Sequence, residues 1–117
     1  AYYMNDYAII KHGFVDGNIE KSLADNLVDK KFKILPNPSG LYSMERIENI
    51  KSYSKQCKLK RLFMFAQDGA SDYIRKSLNA MDEKTFDLFL KYQLSICKRK
   101  EMLGASSHIV DVLKKID

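Results

Sequence analysis

A chain of 117 residues, 45% hydrophobic and 30% charged, has the composition of one small globular domain rather than of a disordered or fibrous segment. No apolar run approaches the roughly 18 residues a membrane span needs, and no charged-then-apolar leader opens it. The formal charge of +5 is spread along the chain, with clusters at Lys30-Lys31-Lys33, Lys58-Lys60-Arg61 and Lys98-Arg99-Lys100 that suit solvated helix ends better than a nucleic-acid stripe.

Ala1-Tyr2-Tyr3-Met4 is β-prone and starts without a lead-in, as a strand cut from a larger domain would. Asn5-Asp6 can cap a short helix over Tyr7 to His12, with Gly13 as its stop. Asp16-Gly17-Asn18 is turn chemistry, and Asn18 opens a second helix to about Val28 with Ile19, Leu23 and Leu27 on one stripe. Phe32 and Ile34 alternate with Lys31 and Lys33, which predicts a short strand with one wet face. Pro36-Asn37-Pro38-Ser39-Gly40 breaks regular structure.

A third helix is expected from Ser43, with Glu45 near its positive end and Ile47, Ile50, Tyr53 and Cys57 on its apolar stripe. Arg61 to Ala66 is a near-continuous apolar run bounded by Asp68-Gly69, the pattern of a strand covered on both faces. One or two helical turns follow around Asp72 to Leu78. Asp82 caps the longest helix, to about Lys100, with Phe86, Phe89, Leu90, Gln93, Leu94 and Cys97 facing the core and Gly104 as its stop. His108 to Leu113 is a closing β-branched strand. The architecture is α/β, one domain over residues 1–117.

The two cysteines, Cys57 and Cys97, fall at apolar helical positions outside any CxxC and are expected to be buried free thiols, which fits a reducing cytoplasm. Neither GxGxxG nor GxxxxGKS spacing occurs among the five glycines, so no nucleotide-binding loop is present. Ser106, Ser107 and His108 are adjacent on a strand and therefore poorly placed as nucleophile and base, and His12 is the only other histidine. No metal site is expected.

Several short motifs recur in a fixed order: Tyr2-x-x-Asn5 ending a strand, a helical insertion over Asp6–Gly40, a helix over Ser43–Cys57, and a strand over Arg61–Gln67 ending in Asp68-Gly69. A long helix over Asp82–Arg99 and Gly104-Ala105-Ser106-x-His108 leading into a last strand complete the series. In this order the chain resembles the C-terminal portion of bacterial class I S-adenosylmethionine-dependent methyltransferases, although Lys98-Arg99-Lys100 is more basic than its counterpart in the family. The resemblance implies the last three strands of a Rossmann-like sheet, the final one antiparallel and lying between the other two. It also implies a missing N-terminal half that holds S-adenosylmethionine. This chain alone would then bind no cofactor, be inactive, and leave its methyl acceptor unidentified.

Ligands bind beyond the carboxyl ends of parallel strands in open α/β sheets. On the implied topology, Asn5, Tyr7, Asp68, Arg75 and His108 converge on that rim. Each also has a plainer use. Asn5 and Asp6 can cap a helix, Asp68-Gly69 can be a turn, Arg75 can pair with Asp72 or Asp82, and His108 can bond a loop carbonyl. Loss of the preceding strands would leave Ala1–Met4 as an open edge, inviting a homodimer or strand swap. The alternative reading is a complete small α/β module that binds a protein or nucleic acid through its basic surface.

Overall fold

The last strand in the chain lies in the interior of the sheet. In the computed structural model, which describes residues 1–36 and 43–116, β1 (Tyr2–Met4), β2 (Met44–Glu45), β3 (Leu59–Ala66) and β4 (His108–Lys115) form one open sheet in the order β2-β1-β4-β3. β1 and β2 are parallel, and β4 is antiparallel to both β1 and β3. The first three strands therefore point one way, and β4 starts at the edge where β1 and β3 end.

Three of the four expected strands are present, and β2 is an addition. Met44 and Glu45 do not open a helix. They pair with Tyr3 and Met4, and α3 (Ile47–Gln56) begins only after the extended Arg46. Ladder pairing satisfies the backbone groups of β1 that a helical Met44-Glu45 would leave open. Glu45 is accordingly buried, and its carboxylate accepts from Ser43 Oγ at 2.8 Å and Tyr53 Oη at 3.1 Å. β1 thus has neighbours on both sides, which corrects the expectation of an open edge at Ala1–Met4; the sheet edges are β2 and β3.

The core joins β1, α3, β3 and β4 through Met4, Ile50, Met64, Ala66 and Ile109, with Leu103 closing one end. Ile50 is the one residue of the α3 stripe that is buried; Tyr53 and Cys57 are exposed, so Cys57 is not the buried thiol its spacing suggested. Arg61 reaches from β3 to Asp111 of β4 and to Ser54 of α3, tying two strands to one helix.

Asp82 caps α5 (Glu83–Ile96) as expected, accepting the Thr85 N–H at 2.7 Å. The helix ends at Ile96, short of Lys100, and a 3₁₀ turn over Lys100–Met102 precedes Gly104. Its predicted core stripe is largely wet: Leu94 is 76% exposed, while Phe86 and Leu90 are also exposed. Only the C-terminal end of α5 meets the sheet, where Ile96 is buried, Cys97 O accepts the Ala66 N–H and Gln93 Nε2 donates to Ala66 O. The chain exposes 8497 Å², where a folded monomer of its mass exposes about 6,600 Å². Its radius of gyration is 16.2 Å, against about 13 Å for a compact domain of this length.

The segment after β1 differs most from expectation. α1 (Asn5–Ala8) runs directly into a π-helical segment, Ile9–Val15, in which the Asp16 N–H bonds to Lys11 O five residues back. Gly13 lies buried within it against Ile19 and does not end it. α2 (Ile19–Ala24) is shorter than its apolar stripe suggested, with Leu23 and Leu27 exposed. The Phe32–Ile34 segment is a turn rather than a strand. Asp29 Oδ1 accepts the N–H groups of Lys31 and Lys33, Phe32 has φ +59, and one isolated bridge joins Val28 to Ile34. Most of the Pro36–Gly40 break, and with it the end of the Asp6–Gly40 insertion, falls outside the described residues. No described helix is long and apolar enough to cross a membrane.

Candidate active-site rim

β3 ends in Gln67-Asp68-Gly69, and β4 starts at His108 beside it. Asp68 Oδ2 accepts the His108 backbone N–H at 2.8 Å and lies 2.7 Å from the ring Nδ1. A carboxylate only accepts hydrogen bonds, so the hydrogen sits on Nδ1, and the neutral ring keeps its lone pair on Nε2. Across the sheet, the Tyr3 ring meets the imidazole edge-on at a centroid distance of 4.5 Å.

Ser106 builds this corner from beneath. It is buried, and its Oγ donates to His108 O at 2.7 Å while accepting the N–H groups of Asp68 at 3.3 Å and Gly69 at 3.1 Å. The hydroxyl is thus engaged with three backbone groups. Gly69 adopts φ +56, and a Cβ there would run into the Gln93 side chain. Both constraints favour glycine.

Asp72 and Tyr73 follow in the turn before α4 (Arg75–Asn79). Asp72 pairs with Arg75, and the Tyr73 hydroxyl donates to Ala105 O. The Tyr7 and Tyr73 rings meet edge to face at 5.0 Å. Burial, then the neighbouring Tyr7 and Asp6, push the Tyr73 phenol up to about 12. Burial and Asp72 raise Tyr7 also. Both rings are neutral phenols across the physiological range. Between the π-helical segment and α4 they wall an open cavity of about 630 Å³, which Lys11, His12, Arg75 and Lys76 also line.

Four of the five predicted rim residues are therefore gathered: Asp68 with His108, and Tyr7 with Arg75 in the adjoining cavity. Asn5 is not among them. It is completely buried and makes no helix cap; its amide donates to Phe32 O at 2.9 Å and its Oδ1 accepts the Ile34 N–H at 2.8 Å. That side chain clasps the returning insertion. Tyr73, Asp72 and Lys11 were not singled out from the sequence, because only the turn after β3 and the π-helix bring them to Tyr7.

Asp68, Asp72 and His108 each place one donor atom within 4.8 Å of the others. These are the described residues that could hold a divalent ion, a grouping that local spacing did not suggest. Asp68 already accepts from His108, and Asp72 already pairs with Arg75. Comparison with known proteins gives no match to this chain among family models, curated proteins or solved structures.

Proposed function

We propose that this chain is the C-terminal, substrate-side portion of a class I S-adenosylmethionine-dependent methyltransferase domain. One observation carries the reading. A late antiparallel strand lies between two parallel ones, and its first residue, His108, meets Asp68 at the end of its neighbour. This is the order implied for the last three strands of that fold, with polar side chains at the edge where open α/β sheets bind ligands. The wet apolar face of α5 and the large exposed surface fit a sheet that packs against further structure.

In this reading a complementary part of the domain holds S-adenosylmethionine, which supplies an electrophilic methyl group. The present chain positions the acceptor and receives its proton. His108 Nε2 would take the proton that the acceptor's oxygen or nitrogen gives up on methylation, while Asp68 fixes the ring's tautomer and orientation. Alignment of acceptor and methyl group supplies much of the rate, several kcal/mol in well-oriented systems.

The test is to express the complete reading frame containing this segment and titrate it with S-adenosylmethionine by calorimetry. Binding by the complete protein, and none by residues 1–117 alone, is expected. A complete protein that binds no S-adenosylmethionine ends the proposal.

A further inference from the structure

The cavity between the π-helical segment and α4 has the size and chemistry of a small-molecule site. Its volume of about 630 Å³ falls within the few-hundred to 1,000 Å³ range of ligand pockets. Two neutral tyrosine rings set at 73° to one another form its aromatic wall, an arrangement that receives a planar ring by stacking on one and meeting the edge of the other. Cations share the lining with them. Lys11, Arg75 and Lys76 line the cavity against a single carboxylate, Asp72.

The remaining charges sharpen this asymmetry. Lys11 is held by Asp16 from outside the cavity lining, and Arg75 by Asp72, whereas Lys76 has no ion pair among the described residues. Lys11 and His12 reach the cavity from a π-helical turn, a rare geometry that concentrates at functional sites. Asp72 connects the cavity to the Asp68–His108 pair, since the three donor groups lie within 4.8 Å. The cavity therefore adjoins the corner that holds the imidazole, with Asp72 common to both.

We propose that this cavity binds the methyl acceptor, and that the acceptor is a small planar aromatic molecule carrying an anionic group, carboxylate or phosphate. The ring lies on Tyr7 and Tyr73, the anion meets Arg75 and Lys76, and the atom to be methylated faces the Asp68–His108 corner. The word acceptor rests on the methyltransferase reading; the binding of an aromatic anion does not.

The experiment is an NMR titration of the 117-residue chain with phenyl phosphate, phenol and inorganic phosphate, followed at the tyrosine ring resonances. Phenyl phosphate should bind at least about tenfold more tightly than either component, the worth of a charged hydrogen bond or more. It should shift Tyr7 and Tyr73, and lose about tenfold in affinity in the Arg75→Gln/Lys76→Gln double variant. Both substituted side chains are exposed, so the fold is retained. Equal binding of phenol and phenyl phosphate, binding indifferent to the double variant, or no binding overturns the inference. The two proposals fail separately. Phenyl phosphate binding in a protein that takes no S-adenosylmethionine leaves the pocket standing without methyl transfer. Methyl transfer confined to uncharged acceptors leaves the enzyme standing without this pocket's specificity.

Discussion

Asp111 and Arg61 form a two-point ion pair across β3 and β4, Nε to Oδ1 at 2.7 Å and a terminal guanidinium nitrogen to Oδ2 at 2.9 Å, with the Asp111 side chain only 2% exposed. The hydrogen bond to Asp111 raises the pKa of Arg61 further, so the guanidinium stays charged at any ordinary pH. Asp111→Ala leaves the Arg61 guanidinium partly buried without its anion. Urea denaturation should show a loss of about 2–3 kcal/mol, toward the lower end of what breaking a buried pair costs because Arg61 keeps some solvent. Replacing both residues with apolar ones of similar volume should recover most of that loss.

Ser106→Ala withdraws the acceptor from two backbone N–H groups at once. A destabilisation of about 1–3 kcal/mol is expected, with faster amide hydrogen exchange at Asp68 and Gly69 than elsewhere in β3. Unchanged exchange at those two amides would show that the hydroxyl does not hold the corner.

Tyr73 sets a pH dependence at the alkaline end. Its folded pKa, about 12, lies above the ordinary 10 of the unfolded chain. The stability that the neutral phenol contributes is present in full below pH 10 and is lost as pH rises from 10 through 12. Thermal melts of Tyr73→Phe should fall less steeply over that interval than those of the parent chain. The same variant should be less stable at neutral pH by about 1 kcal/mol, the usual worth of one hydrogen bond, here the one to Ala105 O.

On the methyltransferase proposal, His108→Ala in the complete protein should reduce kcat by about 10²-fold or more, since the imidazole would take the acceptor proton. Asp68→Asn should reduce it less and alter the pH profile, because an amide can stabilise the other tautomer. A wild-type rate for His108→Ala with a folded protein would remove His108 from the chemistry.

Three of the four strands and the two longest helices were legible in the sequence because their apolar patterns are long and their ends carry explicit signals, such as Asp82 as a cap and Asp68-Gly69 as a turn. The rest was set by partners distant in sequence. Met44-Glu45 is a strand because β1 offers it an edge, and nothing within two residues can announce that. Phe32 and Ile34 alternate like a strand, yet Asp29 and the buried Asn5 amide fold them into a turn. The α5 leucines matched a core-facing stripe, but no described layer covers them. At the rim, the meeting of Asp68 with His108 followed from topology, whereas Tyr73 and Lys11 depended on a π-helix that periodicity does not encode.

The interior position of β4 governs the order in which the molecule can be made. Tyr2 and Tyr3 pair with Ile109 and His108, and Leu59 to Ala66 pair with the same strand from its other side. Synthesis proceeds from the opposite end, so β1 and β3 emerge without the strand that joins them. The sheet can close only once β4 has left the ribosome. A nascent chain halted before His108 holds β1 and β3 without the strand that pairs with both, and a nonsense codon there removes the junction rather than a tail.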